Sequence, residues 1–376
     1  MVMVLDNDEL QSLLSGSQVL SAIRQAYAEL GQGRAVNRPR TDMWVPGEGA
    51  DATSLQSAYV LKSFEGAVPA LGVAALRLNS DVIRWTERGG GIRKDKVPLA
   101  PGQRYNGLVL LFDSGTGELL AIMPDGYLQG LRVAATTALA VEQLSRPDAS
   151  VVGLYGSGWQ AEAALEMVRL VRPLADVRVF SPTPANRTAF AERVGARLDL
   201  RVRAVGEPRD AAAGADIVLA ATNSVTPVVR RDWIAAGAHV SCVKYLELPP
   251  DLIAVADPLV VNTRTHAPLN YIMGHDEVVA AHDPTFDGAA TAGAPGDRLG
   301  PYAEAGLDFA RLPELTEVMG GSAPGRTGHG QLSCFLNNIG LGIQFVAAAK
   351  VAYDQALAAG AGTRLPSEMF SQTFHP

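Results

Sequence analysis

Val151-Val-Gly-Leu-Tyr-Gly-Ser-Gly-Trp-Gln-Ala161 is the stretch whose reading decides the fold. A short apolar run of β type enters Gly156-x-Gly158-x-x-Ala161 and leaves into a helical pattern from Glu162 to Arg172. A strand, a tight turn and a helix start in that order suit a dinucleotide pyrophosphate. Gly156 permits the sharp bend, Gly158 lets the main chain approach the phosphates, and Ala161 lets the helix pack close to the strand. Trp159 and Gln160, inside that turn, are expected among the cofactor-binding residues, and the N-terminus of the following helix supplies N–H groups and partial positive charge. A glycine-rich turn without a ligand is spelled the same way, so the flanking chain has to decide.

Downstream, β-type and helical runs alternate. Val177 to Ser181, Leu200 to Ala204 and Ile217 to Thr222 read as strands, and Ala185 to Val194 and Pro208 to Ala213 as helices, with His239 to Val243 and Leu259 to Asn262 as further strands. That alternation predicts a parallel sheet with right-handed crossovers, an α/β fold of Rossmann type. An NAD-specific fold places Asp or Glu at the end of its second strand, to bind the ribose hydroxyls. Here Ser181-Pro-Thr183-Pro-Ala-Asn186-Arg187 stands instead, with hydroxyls and a guanidinium suited to a 2′-phosphate; a plain helix-cap turn is the alternative. The expected cofactor is NADP, with NAD possible. Thr222, Asn223 and Ser224 follow a strand's carboxyl end, where ligands meet an open α/β sheet.

Upstream, apolar residues from Leu10 to Leu30 recur at helical spacing in two helices broken near Gly16-Ser17. Arg34-Ala-Val-Asn-Arg-Pro-Arg40 packs three arginines before a strand-like Thr41 to Val45, a pattern suited to carboxylate recognition or to a solvated basic face. Tyr59 to Ser63, Leu71 to Leu78 and Gly107 to Phe112 read as strands, the last joined by Asp113 to Gly117 into a hairpin with Glu118 to Met123. The polar, glycine-rich run from Thr86 to Lys96 reads as a mobile loop. Asp125 to Ala140 is an alanine-rich helix with Arg132 near its start. His282 to Leu312 reads as a flexible insertion, and Phe335 to about Ala358 as a helix.

The 376 residues suffice for two domains. The 47% hydrophobic and 19% charged fractions are those of a globular protein, and a net charge of -7 argues against nucleic-acid or anionic-membrane partners. Cys242 and Cys334 lack any zinc or redox spacing. The acidic first residues do not suit a signal peptide, so a cytoplasmic location is expected.

Taken together, these residues resemble the ornithine cyclodeaminase/μ-crystallin family. The matches are Arg38-Pro-Arg40, Gly107-Leu-Val-Leu-Leu-Phe-Asp-x-x-Thr-Gly117, Leu131-Arg132, Gly153-x-x-Gly-x-Gly-x-Gln-Ala161, Ala215-Asp-Ile-Val with Ala221-Thr-x-Ser-x-x-Pro-Val228, and Phe335-x-x-x-Gly-x-Gly-Ile343. The resemblance implies a substrate-binding and dimerisation domain from residues 1–130 with 320–376, an NAD(P) domain from 131–319, and a homodimer. It implies that Arg40 and Arg132 hold a substrate carboxylate. A family lysine is replaced by Ala74, leaving Lys62 and Arg77 as the nearest cations; the family aspartate after the His239 strand is missing, with Glu247 the nearest substitute. Both losses touch the acid/base machinery of ornithine cyclisation. The expected activity is therefore hydride transfer to or from an imino or amino acid, with amino, imino or keto acids as small-molecule partners. An ammonia-lyase that recycles its NAD internally, or a μ-crystallin-like NADPH-binding protein without turnover, are the alternatives.

Overall fold

The computed structural model describes residues 1–47, 54–88, 91–224, 226–281 and 300–374. The described residues form two compact units. One comprises Met1–Arg132, Ala267–Gly296 and Leu341–Pro376, the other Val133–His266 and Asp297–Gly340.

The second unit is the Rossmann domain that the glycine turn requires. Its seven strands run in the order Val202–Ala204, Asp176–Phe180, Val151–Tyr155, Ile217–Ala220, His239–Cys242, Ser333–Leu336, Leu259–Val261, and every pairing is parallel. The chain leaves Val151–Tyr155 first to one side of it and later to the other, so a topological switch lies at that strand's carboxyl end. Helices Trp159–Val168, Pro184–Leu198 and Pro208–Ala212 fill the first crossovers. Central strands of a parallel sheet are buried on both faces, and Ile217–Ala220 and His239–Cys242 are buried at every position, the polar His239 and Ser241 included.

Ser333–Leu336 corrects the helical reading of Phe335 onward. Those four residues are a buried parallel strand between His239–Cys242 and Leu259–Val261, and the helix begins only at Gly342. A run this short suits a core strand and a core helix equally; the neighbouring strands decide which forms.

The first unit is built on a mostly antiparallel sheet. Val279–Ala280, Leu269–Ile272, Val36–Gly47, Ser54–Val68, Val73–Arg88, Asn106–Asp113, Leu119–Pro124, Val2–Val4 and Thr363–Leu365 follow one another across it. Helices Asn7–Leu13 and Gly16–Gly31 are capped by Asp6 and Ser15, whose side chains accept from Glu9 and Gln18 N–H groups. The C-terminal helix Gly342–Ala359 is apolar nearly all round and packs on Ser54–Val68 and Val73–Arg88. Gly342 and Gly66 let backbone meet backbone there: a Cβ on Gly342 would collide with the Glu65 carbonyl, and one on Gly66 would lie 2.7 Å from Ile343 N.

Two further readings are revised. The polar run 86–96 is largely strand: Gly91–Val97 pairs antiparallel with Val73–Arg88, Gly89 and Gly90 lying outside the described residues. Its lysines are exposed but tethered: Lys94 Nζ sits 5.2 Å from the Trp44 ring centre and 5.8 Å from that of Trp85, and Lys96 Nζ lies 2.9 Å from Asp81. Of the predicted insertion 282–312, residues 282–299 lie outside the described residues, and Gly300–Glu304 and Phe309–Arg311 are helical turns. Leu269–Ile272 pairs in parallel with Val36–Gly47, which places that stretch in the first unit.

Candidate active site

The glycine turn has the geometry of a phosphate cradle. Gly156 has φ +113°, closed to most side chains, and a Cβ there would strike the Ala221 carbonyl oxygen. Its N–H donates to Phe180 O at 2.9 Å, which ties the turn to the second strand. Gly158 is the N-cap of Trp159–Val168 and has no side chain to cap it; a Cβ there would meet nothing within 4 Å. That open helix end fits a pyrophosphate. Ala161 is on the fully buried side of that helix, whereas Trp159 is 56% exposed.

At the second strand's end the residues expected to meet the ribose divide. Ser181 is buried and accepts a hydrogen bond from Ser157 Oγ at 3.0 Å, so Ser157 is a turn residue that glycine spacing does not single out. Arg187 donates to Ser181 O at 2.8 Å, and its guanidinium lies 5.5 Å from the Phe180 ring centre. Thr183 and Asn186 are exposed. Beyond the fourth-read strand, Thr222 is held by Glu247, while Asn223 is exposed and Ser224 half-buried, its N–H on Thr222 Oγ1.

Glu247 is fully buried. One carboxylate oxygen accepts from Thr222 N and Oγ1, both at 2.6 Å, and the other from Val243 N at 3.1 Å and Lys244 N at 3.0 Å. Burial raises its pKa against those hydrogen bonds, Thr222's foremost. The carboxylate is thus a brace between two loops at the carboxyl ends of adjacent strands.

In the first unit the sheet collects a cationic cluster on its buried face. Phe64 and Arg77 are cross-strand partners, as are Lys62 and Asn79. Three guanidiniums surround the Phe64 ring: Arg40 at 5.4 Å, Arg77 at 5.2 Å and Arg132 at 5.6 Å, with Arg132 also 4.8 Å from Phe345. Arg40 grips Asp42 with two bonds of 2.8 and 2.6 Å, and Arg77 grips Asp125 at 2.7 and 2.5 Å. Arg132 donates instead to neutral amide oxygens, to Gln344 at 2.6 Å and Gln129 at 2.9 and 3.2 Å. Burial, then Arg77, brings its pKa down to about 9, so it remains a cation at neutral pH. Arg132 lies nearly two turns inside helix Gly126–Leu144, which corrects its expected place at the helix start.

Lys62 is buried and bonds Asp81 Oδ2 at 2.7 Å; Lys96 reaches the same oxygen at 2.9 Å. Burial, then Arg40, pushes Lys62 down to about 7. Burial opposes ionisation of Asp81, but Lys62 and Lys96 outweigh it and hold its pKa below the usual range. Ala74, matched above to a family lysine, alternates onto the opposite face from Ala75, Arg77, Asn79 and Asp81. A lysine there could not join this cluster in the present register.

Residues 100–360 match the model of the ornithine cyclodeaminase/mu-crystallin family. A putative dehydrogenase of Rhizobium meliloti is 35% identical over 272 residues, covering 70% of this chain and 74% of that protein. A Delta(1)-pyrroline-2-carboxylate reductase of Bacillus cereus is 25% identical over 97% of this chain and 99% of its own. Among solved structures, the Thermococcus litoralis Delta(1)-pyrroline-2-carboxylate reductase, in complex with NADH and L-proline, superposes with a TM-score of 0.73 at 24% identity, covering 97% of this chain and all of that one. This chain belongs to the ornithine cyclodeaminase/mu-crystallin family.

Proposed function

We propose that the protein is an NAD(P)-dependent oxidoreductase that moves hydride between a nicotinamide and the carbon of an imino or amino acid, as an imine reductase or amino acid dehydrogenase. The observation that carries this reading over a cyclodeaminase is Glu247. Ornithine cyclisation needs a carboxylate to manage the attacking side-chain amine, and the acidic side chain nearest that place in the sequence is locked under four donors. Hydride transfer needs a bound nicotinamide and an anchored substrate, and no such acid. When bound, the dinucleotide supplies or accepts the hydride; Gly156, Gly158 and the Ser181 turn would hold it. Arg132, which stacks against Phe64 and Phe345 and is oriented by Gln129 and Gln344, anchors the substrate carboxylate, with Arg40 and Arg77 shaping the field around it.

Two finer readings accompany this one. The protein prefers NADP(H), because Ser181, Thr183 and Arg187 stand where an NAD-specific fold carries an acidic residue. It works as a homodimer through the first unit's sheet. Tyr271 pairs with Met43, and Tyr59 with both Val45 and Val82, so these exposed apolar residues share one sheet face.

The test follows reduced-cofactor absorbance, with NADPH and with NADH, against cyclic imines, 2-keto acids plus amines, and L-amino acids. Substrate-dependent loss or gain of the reduced form is the expected result. Conversion of L-ornithine to proline with stoichiometric ammonia and no net redox change would replace this reading with the lyase; a tightly held cofactor without turnover would replace it with a binding protein.

A further inference from the structure

We propose that Lys62 handles the proton of the redox step, donating it to the substrate nitrogen during reduction and accepting it during oxidation, with Asp81 and Lys96 fixing it in place. The inference rests on the oxidoreductase reading above and names the group which that reading leaves open.

The placement is specific. Lys62 extends from the middle of Ser54–Val68 on the same face as Phe64, two residues along from the ring that the three arginines surround. Each packed strand brings charge to it. Val36–Gly47 contributes Asp42, its cross-strand partner, and Arg40; Val73–Arg88 contributes Asn79 and Asp81; Gly91–Val97 contributes Lys94 and Lys96. Arg40 acts electrostatically on Lys62, Arg77 and Arg132 alike, so the lysine and the carboxylate anchor share one field.

The other ionisable groups of that face are committed. Asp42 and Asp125 are each gripped by an arginine, and guanidinium does not give up its proton near neutrality. Asp81 stays ionised between two lysines. A buried ammonium surrounded by cations is the group here whose charge changes near pH 7. Lys96, 43% exposed on the same Asp81 oxygen, links it to water.

The step balances. The carbon of a neutral imine takes the hydride, the π pair of C=N moves to nitrogen, and one proton from the Lys62 ammonium forms the new N–H. Neutral Lys62 then recovers a proton from water. Oxidation of the amine runs the same transfers backwards.

Lys62→Arg keeps the cation and cannot titrate; Lys62→Met removes it. For the wild type, kcat for reduction should be level below about pH 7 and fall about tenfold per unit above it, and kcat for oxidation should rise to the same midpoint and level off. Lys62→Arg should lower kcat about 100-fold in both directions and lose that midpoint, with KM for the carboxylate substrate within about threefold. A second readout needs no turnover. The chain holds five lysines, so the ammonium signals of isotopically lysine-labelled protein are resolvable by NMR, and the one absent in Lys62→Met should titrate near pH 7. Wild-type protein that turns over no imine or amino acid overturns the redox reading and this proposal with it. Turnover by Lys62→Arg at the wild-type rate, or titration of the Lys62 signal above pH 9, overturns this proposal alone.

Discussion

Gln344 accepts a hydrogen bond from Arg132 Nη1 at 2.6 Å and passes one on to the Tyr27 hydroxyl at 2.7 Å. Its Oε1 also accepts from Leu341 N at 3.0 Å, so the amide cannot turn without breaking the cap of its own helix. A neutral side chain, itself tied to Tyr27 and to the helix cap, thus fixes the guanidinium in place. Arg132→Ala should lower kcat/KM about 30- to 1000-fold, the loss expected when a desolvated carboxylate loses its fork, with NADPH affinity unchanged. Gln344→Glu should raise KM for the same substrate by placing a competing carboxylate on Arg132. Steady-state kinetics beside fluorescence titration of NADPH check both.

Gly156→Ala should abolish dinucleotide binding. Residues other than glycine are strained at φ +113°, at a cost of about 1–3 kcal/mol, and the methyl group would strike the Ala221 carbonyl. Titration calorimetry with NADPH reads the binding loss, and thermal melting reads the strain.

Arg187→Ala should weaken NADPH binding about tenfold or more and leave NADH nearly unaffected, because only the 2′-phosphate distinguishes them. Equal or better wild-type kinetics with NADH would remove the NADP preference.

His239 governs part of the acid stability. Its ring lies between Ser333 Oγ at 3.0 Å and Ser241 Oγ at 2.7 Å, fully buried, and burial lowers its pKa to about 3. The unfolded chain binds this proton below about pH 6.5 and the folded chain does not until about pH 3. The folded state therefore loses stability as pH falls through that window, by a few kcal/mol in total. Urea unfolding between pH 7 and 4 should show a slope that His239→Asn reduces.

If the proposed homodimer forms through this face, Tyr59→Arg should give a monomer, since it sets a charge in the middle of the exposed apolar patch. Light scattering at micromolar concentration checks this; a wild-type monomer mass would dismiss the dimer.

The Rossmann unit was largely legible in the residue string. Gly156, Gly158 and Ala161 act locally, through backbone angles and close packing that particular residue types permit, and the following strands and helices show in short-range periodicity. The arginines stood out by type and spacing. Partner choice was not legible. Arg40 and Arg77 look like Arg132 in sequence, yet only folding sets Asp42 and Asp125 against the first two and amides against the third. Thr86 to Lys96 reads as a solvated loop because its cations are judged without Trp44, Trp85 and Asp81, which antiparallel pairing brings to them. Ser333–Leu336 is a strand only because two others offer it parallel hydrogen bonds. Lys62 carries the same lesson: its chemistry comes from desolvation and from charges on three neighbouring strands, and those distances exist only in the folded chain.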